Sequence, residues 1–87
     1  MYAMISLDLD KKTSSEQRKV FNAKLKELQW VKIPNVTTTW YANFKPEVSR
    51  QGITGTTKSD IQKAASAAGV TSYDVVLHVG DEKPNSL

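Results

Sequence analysis

The chain's 87 residues are enough for one small domain, and 39% hydrophobic with 24% charged residues are typical of a globular rather than a disordered chain. The absence of cysteine and the single histidine exclude disulfides, cysteine-based zinc sites, cysteine nucleophiles and a self-contained histidine cluster. No apolar run approaches a membrane span and the N-terminus lacks the features of a signal peptide, so we expect a cytoplasmic protein with no membrane contact.

Positive charge is concentrated in the first part of the chain. Residues 1–69 hold 11 Lys and Arg against 6 Asp and Glu, whereas residues 70–87 hold 1 against 3. A basic body suits a phosphate-bearing partner, because phosphates that Lys and Arg neutralise release their counterions. It suits solubility equally well, so charge alone leaves both interpretations open.

Residues 1–10 predict a first strand, because apolar side chains alternate with more polar ones. One face carries Ala3, Ile5, Leu7 and Leu9, and the other carries Tyr2, Met4, Ser6, Asp8 and Asp10. The apolar set predicts the core face. An acid is costly to bury alone, so Asp8 is expected at the rim of the sheet, where it can bind a cation, while Asp10 forms the following turn.

A first helix is predicted to start after Thr13 or Ser14, which precede Glu16 and Gln17 at capping-box spacing. Apolar residues then recur at helical spacing up to an expected end near Gln29, and they are Val20, Phe21, Leu25 and Leu28. Residues 30–34 predict a brief edge strand that stops at Pro34, since proline cannot donate to a ladder.

Threonine and aromatic residues between positions 37 and 44 predict an interior strand. Alternation assigns Trp40 to the core face, with Ala42 and Phe44, and Tyr41 to the opposite face. Residues 45–56 contain one proline, two glycines and almost no apolar residue, so we expect a long, mobile loop there.

A second helix is predicted to start at Thr57 or Ser59, with Asp60 in its first turn and a stop at Gly69. Its apolar face consists of Ile61, Ala64, Ala65 and Ala68. A last strand alternates Tyr73, Val75, Leu77 and Val79 with Asp74, Val76 and His78. Residues 1–80 are expected to form a single domain, followed by a polar, flexible C-terminal tail at 81–87.

The predicted order of strand, helix, strand, strand, helix, strand is that of ferredoxin-like domains. We therefore expect an α+β fold, with a four-stranded antiparallel sheet whose first and third strands are central and with two helices on one face. The other face stays open, and such a surface often closes by dimerisation or binds a ligand. We predict a homodimer through this face, with an interface formed by Tyr2, Met4, Tyr41, Val76 and His78.

The segment from Met1 to Asp10, with a helix that contains Arg18-Lys19-Val20-Phe21 and a short strand after Leu28, resembles the small RNase superfamily. That superfamily includes virulence-associated protein D and the CRISPR-associated spacer-acquisition subunit, and the GhoS-type antitoxin endoribonucleases are similar in layout. The resemblance implies a ferredoxin-like homodimer with an aspartate at the end of the first strand, placed at the dimer interface and assigned to metal-dependent phosphodiester cleavage. Asp8 is the residue that matches.

Two functions follow as hypotheses. The first is a small RNA-binding protein, a metal-dependent endoribonuclease of a toxin–antitoxin, CRISPR-associated or mobile-element system. In it Asp8 binds magnesium or manganese and Ser6 orients a metal-bound water, so that both are catalytic residues. The expected RNA-binding residues are Lys11, Lys12, Arg18, Lys19, Tyr41, Lys45 and Arg50.

The second hypothesis is a non-catalytic accessory module that uses the open sheet face to bind a protein partner. Under this hypothesis Asp8 is a solvated acid at a strand end, paired with Lys11 or Lys12. His78 is then a structural or interface residue rather than an acid or base.

Overall fold

The computed structural model describes residues 1–36 and 38–86. Six elements follow one another along the chain: β1 (Tyr2–Leu9), α1 (Ser15–Glu27), β2 (Val31–Lys32), β3 (Thr39–Asn43), α2 (Arg50–Ala68) and β4 (Tyr73–Gly80). All strand pairs are antiparallel, in the order β2-β3-β1-β4, so β1 and β3 are central. This arrangement confirms the predicted α+β, ferredoxin-like fold.

Two predicted positions lie outside the described residues: Thr37 in the expected third strand, and Leu87 at the end of the expected tail. The described helices do not include one with the length and apolar character that crossing a membrane requires.

The core lies between the helices and one face of the sheet. Ala3 and Ile5 of β1 have no exposed surface, and Trp40 of β3 is only 1% exposed. The largest fully buried side chains are Trp40, Phe21, Ile5, Leu25 and Ile53, which come from both helices and both central strands. The predicted core faces of β1 and β3 are therefore confirmed.

Helix α1 begins as the sequence predicts. The N–H of Gln17 donates to Ser14 Oγ at 3.1 Å, and the N–H of Ser14 donates to Gln17 Oε1 at 2.9 Å, which completes a capping box. Val20, however, is 44% exposed and does not belong to the buried stripe. The stripe is centred on Phe21 and Leu25, and adjacent helical residues are rotated by about 100°, which turns Val20 towards solvent.

Helix α2 starts two turns earlier than the sequence-based prediction, which is wrong at this point. It begins at Arg50 instead of Thr57 or Ser59, so most of the expected loop at residues 45–56 is helical. Ser49 is the N-cap, and its Oγ accepts a 3.0 Å hydrogen bond from the N–H of Gly52. The glycines that predicted a loop therefore lie inside the helix.

Apolar contacts explain the early start of α2. Ile53 is fully buried, and Val48 packs against the same core from the position before the cap, which is the spacing of a hydrophobic staple. Thr57 and Ile61 continue the buried stripe from Ile53 at intervals of four residues. Burial of this stripe outweighs the low helix propensity of the two glycines.

Asp60 also differs from its expected role. It lies in the middle of α2, is only 8% exposed, and accepts a hydrogen bond from the indole of Trp30. It is therefore a buried hydrogen-bond acceptor, and it does not lie in the first turn of the helix. Gly69 ends the helix as predicted, with a left-handed φ of 69°.

Candidate functional site

The open face of the sheet consists of cross-strand rows whose chemistry changes along β1. Near the start of β1, Met4 lies between Tyr41 on β3 and His78 on β4. In the next row, Ser6 lies between Thr39 and Val76. The following pair, Asp8 and Asp74, is acidic. The face is thus aromatic and apolar at one end and acidic at the other.

The acidic end places two carboxylates opposite each other. Asp8 on β1 and Asp74 on β4 are direct register partners, and both are exposed. Opposite residues of antiparallel strands have Cβ atoms about 4.5–5.5 Å apart, and like charges at that separation repel. The ion pair found in the described part of the chain joins Lys24 to Glu27, and neither Lys11 nor Lys12 forms a close ion pair with Asp8 there.

Asp74 is the functional candidate that sequence reasoning missed. Alternation along the last strand assigns it to the open face, but alternation cannot tell which residue of a distant strand lies opposite. The register of β1 with β4 supplies that information.

Several predicted RNA-binding residues surround this acidic end. Lys11 lines one shallow cavity together with Asp8, Asp10 and Asp74. The N–H of Lys12 donates to Asp10 Oδ1 at 2.9 Å, which confirms Asp10 as a turn residue. In addition, Arg18 Nη2 donates to the carbonyl of Asp10 at 3.3 Å. Lys11 therefore lies beside the carboxylates, Lys12 lies in the turn after β1, and Arg18 reaches the end of β1 from the helix side, where it lines a cavity with Leu7 and Leu9.

The other predicted RNA-binding residues are distributed more widely. Lys19 follows Arg18 on α1 and is exposed. Lys45 follows Phe44, whose N–H donates to the carbonyl of Met1 at 2.8 Å, so it lies at the opposite end of β1 from Asp8. Arg50 is at that end too, because its Nη1 donates to the carbonyl of Val79 at 3.2 Å. The fold therefore separates these two residues from the acidic end.

The residues after β4 lie beside the aromatic end of the open face. Lys83 Nζ is 5.5 Å from the ring centroid of Tyr41, and that ring is 6.3 Å from the ring of Tyr2. Asp81–Pro84 line a groove with Tyr2, Met4 and His78.

The predicted interface residues consequently divide into two groups. Tyr2, Met4 and Tyr41 are half-buried within a single chain, whereas His78 is exposed and Val76 is 69% exposed. A homodimer through the open face stays a prediction.

The acidic end offers a partial set of metal ligands. Within the ranges 1–36 and 38–86, no group of three or more His, Cys, Asp or Glu side chains is arranged to hold a metal ion. Magnesium, however, is commonly held by one or two carboxylates together with waters and a substrate phosphate. Asp8 and Asp74 fit that requirement, and Ser6 lies on the same face two residues before Asp8.

Comparisons with known proteins do not extend these observations. Neither a scan against protein-family models nor searches of curated proteins and solved structures finds a match for this chain.

Proposed function

We propose that this protein binds RNA across the acidic end of its open sheet face and cleaves it with a divalent metal ion. The observation that carries the proposal is the exposed cross-strand pair Asp8–Asp74, with Lys11 and Lys12 in the turn that follows β1. Without a bound cation, the repulsion between these two carboxylates destabilises the sheet. A divalent cation would offset that repulsion. The resemblance of residues 1–10 to the small RNase superfamily supports the same activity for Asp8.

In this mechanism Asp8 and Asp74 are the residues that would hold the ion. When bound, magnesium or manganese supplies an activated water and neutralises the charge that develops on the phosphate. The Ser6 hydroxyl orients a water on the same face. The basic side chains of Lys11, Lys12, Arg18 and Lys19 bind the flanking phosphates, and Tyr41 provides a ring on which a base can stack.

Incubation of the purified protein with mixed RNA and DNA oligonucleotides tests this function. We expect cleavage of RNA with magnesium or manganese and no cleavage with EDTA. Asp8→Asn should lose the activity, since it keeps the shape of the side chain and removes the charge. Asp81→Asn, the same change on an exposed acid beyond β4, should retain it. Cleavage that survives EDTA, or equal cleavage by the Asp8 variant, would contradict the metal mechanism.

A protein-binding accessory module is the second candidate, and exposed valines favour it. Val76 is 69% exposed, and Val31, the register partner of Tyr41, is 45% exposed on the same face. Apolar side chains at the surface are common in protein interfaces. A chain that neither binds nor cleaves any of the oligonucleotides would favour this function over cleavage.

The biological setting that we propose for the nuclease is a toxin–antitoxin, CRISPR-associated or mobile-element system, as the resemblance implies.

A further inference from the structure

The outer edge of β4 is long, and Arg50 covers it only near its end, at the carbonyl of Val79. The strand runs for 8 residues, Tyr73–Gly80, and lies at one side of the sheet with β1 as its neighbour. Natural proteins protect sheet edges with short strands, lysine or proline. At the opposite edge, β2 has 2 residues, includes Lys32 and is closely followed by Pro34. No lysine or proline occurs in β4.

Hydrogen bonds show which backbone groups of β4 point outward. The N–H of Asp10 donates to the carbonyl of Ser72 at 3.2 Å, so the backbone of Ser72 faces β1. In an antiparallel pair this direction recurs at every second residue. Consistently, the carbonyl of Val79 faces the other way and accepts from Arg50. The outward N–H and C=O groups therefore belong to Tyr73, Val75, Leu77 and Val79.

We propose that a second copy of this chain pairs with this edge, β4 against β4 in antiparallel orientation, about a two-fold axis at Val76. In this register Val75 of each copy exchanges backbone hydrogen bonds with Leu77 of the other, and Tyr73 does so with Val79. Every outward-facing residue of both strands is then paired. Arg50 does not prevent this, because a carbonyl oxygen can accept two hydrogen bonds.

Charge complementarity supports this register. It places Asp74 of each copy opposite His78 of the other, and an imidazole N–H can donate to a carboxylate. Within one chain Asp74 lies opposite Asp8, a like charge. The second copy therefore supplies a favourable neighbour on the side of Asp74 that the single chain leaves open. A register with Asp74 opposite Asp74 would place four carboxylates in one row, Asp8 and Asp74 of each copy, and would leave strand ends unpaired.

An apolar groove on the helix side of the sheet provides the remaining contact. Thr57 and Ile61 of α2 line this groove with Tyr73, Val75 and Leu77 of β4, and Val75 is 40% exposed. In the proposed dimer the Val75 and Leu77 side chains of the two copies lie opposite each other there. The proposal does not rest on RNA cleavage, although it shares Asp74 with the proposed metal site, because a carboxylate has acceptor positions for both a metal ion and an imidazole N–H. The edge interface shares only Val76 and His78 with the open-face interface that the sequence predicts.

Sedimentation equilibrium of a matched pair of variants tests the interface. Val76→Lys places two ammonium groups opposite each other at the axis and should raise the dimer Kd by about tenfold or more. Val31→Lys makes the same change at an exposed valine on the other edge strand and should leave the dimer unchanged. Circular dichroism checks that both variants fold. A wild-type chain that stays monomeric, or a Val76→Lys dimer as tight as wild type, would overturn the proposal.

Two further measurements separate edge pairing from open-face pairing. The amide protons of Val75 and Leu77 should exchange slowly in the dimer and quickly on dilution to monomer, since they have no partner on β1. His78→Asp should weaken the dimer, because it faces Asp74, and adding Asp74→His should restore it. Rapid exchange of these two amides in the wild-type dimer would place the interface on the open face instead. Conversion of that dimer to a monomer by Met4→Glu would then identify the open face directly. Neither measurement requires RNA, so a protein that does not cleave RNA leaves this test of the interface unaffected.

Discussion

Trp30 Nε1 donates a 2.9 Å hydrogen bond to Asp60 Oδ2, which joins the residue before β2 to the middle of α2. Both partners are inside the fold, with Trp30 2% and Asp60 8% exposed. A buried carboxylate is costly unless it accepts hydrogen bonds, and bonds to charged groups are stronger than neutral ones. This bond therefore fixes α2 relative to the β2 edge, and Phe44, the residue after β3, supports Trp30 by an edge-on ring contact.

The first prediction concerns this bond. Asp60→Ala leaves the indole N–H buried without its acceptor and should lower the free energy of unfolding by about 1–3 kcal/mol. Asp60→Asn should lower it less, since the amide oxygen can still accept. Urea unfolding followed by tryptophan fluorescence measures both values. In a Trp30→Phe background, which lacks the donor, Asp60→Ala should have a smaller effect; an equal effect in both backgrounds would show that the two residues are not coupled.

The second prediction is that two glycines respond to alanine in opposite directions. Gly69 has a φ of 69°, which an L-residue adopts only with strain, so Gly69→Ala should lower the free energy of unfolding by about 1 kcal/mol. Gly55 lies within α2, and a Cβ there would meet no neighbouring atom of the described chain within 4 Å. Gly55→Ala should therefore raise stability by about 0.5–1 kcal/mol. A loss of stability from Gly55→Ala would contradict a helix that starts at Arg50.

Local patterns were sufficient to predict most of the fold. The alternation in β1, the Ser14–Gln17 capping box and the stop at Gly69 each depend on residues close in sequence, and all are confirmed. The start of α2 could not be predicted in the same way, because Gly52 and Gly55 favour a loop locally. Burial of Ile53 against distant core residues decides that segment.

Local sequence patterns predict even less of the candidate site. The sequence predicts that Asp8 ends a strand on the open face, and the structure agrees. That Asp74 lies opposite, and that Lys45 and Arg50 lie at the other end of β1, depends on strand register and chain direction. A register is fixed by the whole sheet, so no single segment contains this information.

The third prediction concerns the predicted RNA-binding residues, which form two basic clusters: Lys11, Lys12, Arg18 and Lys19 near the acidic end of β1, and Lys45 and Arg50 at its other end. Replacing Lys11, Lys12, Arg18 and Lys19 by glutamine should weaken RNA binding. It should also lower the slope of log K against log salt by about 0.7 for each phosphate of a single strand that the variant no longer neutralises. Lys45→Gln with Arg50→Gln tests the residues at the other end of β1 separately. Because the two clusters are far apart, their effects on the binding free energy should add. An unchanged slope in the fourfold variant would exclude RNA binding at the acidic end.

The last prediction is that metal binding and stability are linked through Asp8 and Asp74. At low salt without metal, Asp74→Asn should raise the free energy of unfolding by about 0.2–1 kcal/mol, because it removes the repulsion from Asp8. With magnesium the wild type should become more stable than Asp74→Asn. A ligand that binds only the folded state stabilises it, and Asp74→Asn lacks one of the two carboxylates that bind the ion. Urea unfolding with magnesium and with EDTA measures the difference, and Asp81→Asn is the matched control. If magnesium changes the stability of the wild type, Asp74→Asn and Asp81→Asn by the same amount, the acidic pair binds no metal.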